Sequence, residues 1–179
     1  MIKKSSKTFL KKVSKNMHKR FIKTIYLDMD GVIADFEKRY LELYNVTPQQ
    51  TRNNKHFNGF FDKFIDGDNF STLDMMPDAR QLITFLESID IPTKILSSTA
   101  SQDRHDVIAP QKERWLETHN INFERIFVPG KQFKYKYADN ESLIIDDTVS
   151  VIDDWRRAGG HAIWHNNVPA TLVMLKLYV

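Results

Sequence analysis

Ile25-Tyr26-Leu27 is an apolar run that ends on Asp28-Met29-Asp30-Gly31, two carboxylates one residue apart with a glycine behind them. This stretch limits the chain more than any other. In a strand, side chains alternate between faces, so Asp28 and Asp30 are expected to project to the same side. Two acids that close repel unless a cation or a shared proton lies between them. An oxygen-only pair suits Mg²⁺, which keeps several waters and takes one or two carboxylates plus a substrate phosphate. A solvated Asp-Gly turn closing a hairpin is the plain alternative. Against it, Val32-Ile33-Ala34 continues apolar instead of returning as an alternating strand.

Periodicity sets this stretch in a wider pattern. A buried strand is expected over 21–27, followed by a helix over 32–44 with Ile33, Phe36, Tyr40, Leu41 and Tyr44 at helical spacing. Thr47-Pro48 breaks it. Between Gln49 and Asp74 the composition shifts to Asn, Gln, Gly, Asp and phenylalanines without strand alternation, which reads as a compact helical insert. Pro77-Asp78-Ala79 opens a helix carrying Leu82, Ile83, Leu86 and Ile89 on one face. Thr93-Lys94-Ile95-Leu96 is the next strand and finishes in Ser97-Ser98-Thr99, and Pro110 is expected to start a helix that packs Trp115 and Leu116 inward. Ile126-Phe127-Val128 is a short strand, and Leu143-Ile144-Ile145 is another that stops on Asp146-Asp147. A helix through Val151, Ile152 and Trp155, capped by Gly159-Gly160, leads to a last strand at Ala162-Ile163-Trp164. Strands alternating with helices predict an α/β fold, a Rossmann-like parallel sheet with helices on both faces and a small helical cap insert. The domain reading is a basic arm over 1–20, a core over 21–36 and 76–179, and a cap over 37–75.

Composition excludes several functional classes. At 179 residues the chain fits one domain of ordinary size, and with 41% hydrophobic and 27% charged residues it has the balance of a soluble globular protein. Cysteine is absent, so neither a disulfide framework nor a thiolate zinc site can form. No apolar stretch approaches the ~18 to 20 residues a bilayer crossing needs, so the expectation is a soluble, cytoplasmic protein without membrane contact. The formal net charge of +3 is unevenly placed. No acid precedes Asp28, while Lys3, Lys4, Lys7, Lys11, Lys12, Lys15, Lys19, Arg20 and Lys23 crowd the start. That arm reads as a solvating tail or a segment making weak contact with polyanions, and its dominance by lysine over arginine argues against a transit peptide.

In open parallel sheets a ligand sits beyond the carboxyl ends of the strands. Asp28/Asp30, Ser97/Ser98 and Asp146/Asp147 all fall at such ends. Singly, each has an ordinary explanation as a helix cap or a turn; together, in this order, they point to one site. Asp28-Met29-Asp30-Gly31-Val32, then Ile95-Leu96-Ser97-Ser98, then Leu143-Ile144-Ile145-Asp146-Asp147 resembles the haloacid dehalogenase (HAD) superfamily of phosphotransferases. Within it the chain is most similar to the 5'(3')-deoxyribonucleotidases. The likeness lies in Asp28 to Phe36, the segment from Phe70 to Ala79, Lys112-Glu113-Arg114-Trp115 and the Asp146-Asp147 ending.

The resemblance implies an enzyme that hydrolyses a small phosphomonoester, a nucleoside monophosphate in the nucleotidase case. Asp28 would be the nucleophile and form an aspartyl-phosphate. Asp30 would protonate the leaving group and then activate water. Mg²⁺ would be held by Asp28, the Asp30 carbonyl, Asp146 and Asp147, and Ser97, with help from Ser98, would bind phosphoryl oxygens. A lysine is needed as well, and Lys131, Lys134 and Lys136 all precede the Asp146 strand. The family's spacing favours Lys136 without a gap and Lys131 with one. Lys112 matches a family lysine near the phosphate, and Phe36 and Phe70 match positions lining the base pocket. The family's tryptophan is missing from this cap. Two other expectations stay open: the same chemistry on a sugar phosphate, a phosphoserine or a nucleic-acid end, and a non-catalytic polyanion-binding module. The sequence leaves monomer and homodimer equally open.

Overall fold

The computed structural model describes residues 22–51 and 54–179. The basic arm expected over 1–20 lies outside them. Five strands, β1 (Thr24–Leu27), β2 (Thr93–Ser98), β3 (Glu124–Val128), β4 (Ser142–Asp146) and β5 (His161–Trp164), form one sheet in the order β3-β2-β1-β4-β5. Every pairing is parallel. Six helices accompany them: α1 (Phe36–Tyr44), α2 (Phe60–Asp66), α3 (Ala79–Ser88), α4 (His105–Thr118), α5 (Val149–Arg157) and α6 (Val168–Leu175). A single helical turn, Pro48–Thr51, and 3₁₀ segments at Lys55–Phe57, Asn69–Thr72, Gln102–Arg104 and Lys131–Tyr137 complete the described elements.

Side-chain alternation assigns the strands to two cores. Ile25, Leu27, Ile95, Leu143, Ile145 and Ile163 face one cluster, which also takes in Leu82, Ile83, Trp115 and Leu175 from α3, α4 and α6. Leu96, Ile144 and Ala162 face the other, closed by Val151, Ile152 and Trp155 of α5. The expected α/β sheet with helices on both faces is therefore the fold. Trp115 and Trp155 are fully buried, and burying an apolar side chain of such size contributes roughly 1.5–3 kcal/mol. The indole of Trp115 also donates to the Leu73 carbonyl at 2.7 Å, tying the segment that follows α2 to α4.

Three elements differ from the periodicity reading. The helix expected from residue 32 starts at Phe36, because residues 29–34 form a tight turn: the Met29 carbonyl accepts from the amides of Val32, Ile33 and Ala34 at 3.1, 2.8 and 2.9 Å. Asp35 then caps α1, its Oδ1 accepting from the Lys38 amide at 3.1 Å. Pro110 does not open its helix; α4 starts at His105 and Pro110 lies inside it. As the sixth residue it removes one intrahelical hydrogen bond, to the Asp106 carbonyl, next to the first turn whose amides have no intrahelical partner. Residues 131–137, to which the periodicity assigns no element, are a 3₁₀ helix.

Candidate active site

Strand register builds the site. Leu27 pairs with Ile145 on one side and Ile95 on the other, so the residues that follow these strands emerge at one rim of the sheet. Asp28 sits just beyond β1, its amide donating to the Ile145 carbonyl at 3.0 Å. This brings it beside Asp146, the last residue of β4, and Asp147. One carboxylate oxygen from each of Asp28, Asp146 and Asp147 lies within 4.8 Å of the others. Gly31 makes the close approach feasible. Its φ of +78° is a left-handed conformation, and a Cβ there would stand 2.3 Å from Asp147 Oδ2.

A buried lysine partly offsets the charge. Lys134 Nζ lies 2.7 Å from Asp146 Oδ2 and 2.8 Å from Asp28 Oδ1. Apart from this ion pair, Asp28 Oδ1 is buried without a partner. Burial alone would lower the lysine's pKa, but Asp28 and Asp146 hold it above its usual range. The carboxylates remain in excess. Burial, then the charge of Asp28, pushes Asp146 up to about 6. Burial, then Asp28 and Asp146, pushes Asp147 up to about 7. Asp147 is the more solvent-exposed of the two, so water screens its shift more. Two carboxylates no more than 4.8 Å apart repel by at least ~3 kcal/mol at an effective dielectric near 20. An all-oxygen donor set with surplus negative charge fits a hard divalent cation such as Mg²⁺.

The remaining residues orient this cluster. The Thr148 amide donates to Asp146 Oδ1 at 2.8 Å and its hydroxyl to Asp147 Oδ1 at 3.2 Å. Trp164 Nε1 donates to the Asp147 carbonyl at 2.8 Å. Asp30 lies past the end of β1 and outside the three-carboxylate cluster. Its Oδ2 accepts from Lys112 Nζ at 2.6 Å, while its Oδ1 is buried without a partner. Burial raises the Asp30 pKa more than Lys112 lowers it, and Asp28 adds to the rise.

Several expected positions need correction. Lys136 is exposed, with its Nζ 4.8 Å from the Phe133 ring centre, and does not reach the carboxylates. Lys134 is the lysine that does. In a 3₁₀ helix residues three apart share a face, which puts Lys131 and Lys134 toward the cleft and turns Lys136 away. Lys131 lines the cleft. Ser97 is fully buried and its Oγ accepts from Lys112 at 2.8 Å, so the hydroxyl on the cleft wall is that of Ser98. Lys112, 1% exposed, is likewise buried behind Asp30 and Ser97. No correction is needed for Phe70, which lines the cleft although only 4% of it is exposed. Phe36 stacks on it with centroids 5.5 Å apart, and Lys112 Nζ lies 5.1 Å from its centre. Phe36 itself is partly buried and, with Phe61, borders an open cleft of about 690 Å³ that also holds Asp28, Asp30 and Asp147. Thr148 was not singled out from sequence, and Gly31 was noted behind the carboxylate pair without a role of its own. A threonine behind Asp146-Asp147 and the Asp30-Gly31 step were the available signals.

No protein-family model matches the chain, and no curated protein matches it in sequence. Solved structures do match. A hydrolase from Streptococcus pneumoniae superposes with a TM-score of 0.56 at 15% identity, over 87% of this chain and 99% of that one. A HAD-superfamily hydrolase from Ehrlichia chaffeensis does so with a TM-score of 0.53 at 11% identity, over 88% and 98%. The fold is that of the HAD-superfamily hydrolases. YfnB from Bacillus subtilis, assigned to the HAD-hydrolases and solved bound to magnesium, gives 0.53 at 14% identity over 83% of this chain and 91% of its own. At such identities the likeness is one of fold. No helix among the described residues is long and apolar enough to cross a membrane.

Proposed function

We propose that this chain is a Mg²⁺-dependent phosphomonoesterase of the HAD type, acting on nucleoside monophosphates through a phosphoryl-aspartate. The observation that carries this reading is the meeting of Asp28, Asp146 and Asp147 around Lys134, with Asp30 facing the same cleft. A non-catalytic polyanion-binding module would gain nothing from surplus negative charge at its ligand site.

Asp28 Oδ attacks phosphorus in line, the bond from phosphorus to the ester oxygen breaks, and the leaving alkoxide takes a proton from Asp30. Burial favours the protonated form of Asp30 that this step requires. In the second half, Asp30 accepts a proton from the water that attacks the phosphoryl-aspartate, which releases phosphate and restores Asp28. Lys134 anchors Asp28 and Asp146. When bound by Asp28, Asp146 and Asp147, Mg²⁺ supplies the positive charge that offsets repulsion between nucleophile and phosphate. Ser98 and Lys131 stand on the cleft wall where phosphoryl oxygens can be met. The cleft volume falls in the ordinary range for a small-molecule site, and Phe36, Phe61 and Pro48 give it an apolar border suited to a base or sugar.

Phosphate release from deoxy- and ribonucleoside monophosphates and from sugar phosphates, with and without Mg²⁺, tests the reading. Turnover should need Mg²⁺ and vanish in Asp28→Asn, while Asp30→Asn should lose about 10²–10⁴ in rate. Wild-type rates in Asp28→Asn would remove the covalent mechanism, and a faster rate on sugar phosphates would replace the nucleotide substrate.

A further inference from the structure

The cleft has a second polar feature that the phosphoryl chemistry does not use. Glu37, in the first turn of α1, and Gln49, in the helical turn Pro48–Thr51, both border it beside Phe36. Both are exposed, and neither has a hydrogen bond or ion pair among the described residues. The neighbouring charges are committed elsewhere: Lys38 to Asp74 at 2.6 Å, and Arg39 and Lys38 to Glu42. The phosphoryl end therefore offers cations and hydroxyls, while this wall offers a carboxylate and an amide.

The wall is also fixed in place. Asp35 donates its amide to the Asp74 carbonyl at 2.9 Å, and Tyr40 of α1 packs on Phe64 of α2 with ring centres 5.6 Å apart. That layer is then tied to α4. The buried Gln111 donates to the Ile65 carbonyl at 2.8 Å and accepts from the Phe70 amide at 3.2 Å. Arg114 pairs with Asp68, and Arg104 with Asp62. These contacts fix the backbone from which Glu37 projects, so its carboxylate stays within reach of the same part of the cleft.

We infer that Glu37, assisted by Gln49, is a specificity-determining residue that selects substrates presenting a hydrogen-bond donor to this wall, the exocyclic amine of a nucleobase or a sugar hydroxyl. The inference rests on the phosphomonoesterase reading for placing the substrate in this cleft. A carboxylate is acceptor-only, so it rewards an N–H or O–H and repels a carbonyl at the same position. Sites that hydrogen-bond a substrate group discriminate strongly against analogues lacking it, because the pocket's own group is left unmatched.

The test compares matched pairs that differ in one donor: deoxycytidine monophosphate against its pyrimidin-2-one analogue, adenosine monophosphate against purine riboside monophosphate, each lacking only the exocyclic amine, and glucose 6-phosphate against its 2-deoxy analogue. kcat/KM is measured on the full chain with Mg²⁺, and equilibrium dissociation constants are measured in the Asp28→Asn background. The wild type is expected to favour the donor-bearing member of at least one pair by tenfold or more. Glu37→Ala should bring that ratio to about one, and Glu37→Gln should retain part of it. Loss of a preference confined to the sugar pair supports the donor rule and overturns the nucleotide substrate. A Glu37-dependent binding preference without phosphate release from any compound supports the donor rule and removes the hydrolase. A wild-type preference that persists in Glu37→Ala, or no preference in any pair, overturns the inference.

Discussion

Lys134 and Gly31 show how much of the site rests on single atoms. Lys134 is buried between Asp28 and Asp146. Removing one partner of a buried charge group costs about 3–5 kcal/mol, because the charges left behind have no counter-ion. Lys134→Met is therefore expected to lower stability by that order in metal-free protein and to abolish turnover. Lys136→Met, at an exposed position away from the carboxylates, should leave both within error. Urea unfolding and phosphate release on the two variants decide between the lysines. Gly31 makes a different demand. Alanine there meets both the unfavourable positive φ and the Asp147 carboxylate. Left-handed backbone costs an L-residue roughly 1–2 kcal/mol. The larger effect is on Asp147, which must swing away from Asp28 and Asp146. Mg²⁺ affinity in Gly31→Ala, read by titration calorimetry, should fall by about 10–100-fold, as when residues supporting a metal's ligands are lost.

At the scale of elements, α4 links the α/β layer to the helical segments above the site, and Gln111 is its least replaceable polar contact. Gln111→Leu keeps the volume but orphans the Phe70 amide, and it takes one bond from the Ile65 carbonyl, which keeps the Asp68 amide at 3.0 Å. A buried orphan costs about 1–3 kcal/mol, so the midpoint of chemical unfolding should drop. Because Phe70 stacks on Phe36 at the cleft border, KM should rise more than kcat falls. Most of the elements behind this argument could be read from the chain. Strands ending on Asp28, Ser97/Ser98 and Asp146 were legible because apolar runs of strand length stop abruptly on polar residues, and parallel order followed from helices between them. What escaped was set by contacts without a period. The turn over 29–34 hides inside an apolar run that looks helical, and only the triple use of the Met29 carbonyl shows otherwise. Lys134 could not be told from Lys136 until residues 131–137 proved to be 3₁₀, since the face a lysine occupies depends on the pitch of its helix. Ser97 and Ser98 could not be separated by sequence either, because neighbouring residues of one strand point to opposite faces and the run alone does not say which is covered.

Over the whole molecule, the carboxylate cluster couples folding to pH and to metal in a definite direction. Asp146 titrates near 6 and Asp147 near 7 in the folded chain, against about 4 for an aspartate in an unfolded one. Between those values the native state holds more protons than the unfolded state. Metal-free stability is therefore greatest below about pH 4 as far as these groups are concerned, and declines as the pH rises toward 7. The screened Asp147 contributes the gentler part of that decline. A cation bound by Asp28, Asp146 and Asp147 reverses the trend. It needs the deprotonated carboxylates, so protons compete with it at low pH, and it binds the native chain alone, so it adds stability by mass action. Thermal unfolding with and without millimolar Mg²⁺ should accordingly show a larger rise in Tm near pH 8 than near pH 5. Asp147→Asn should shrink the rise near pH 8 while making the metal-free protein less sensitive to pH, because it removes one of three mutually repelling charges. Equal Mg²⁺ shifts at both pH values, or none at either, would mean that the three carboxylates do not act together as a cation site, and the phosphoryl-transfer reading would lose its electrostatic basis.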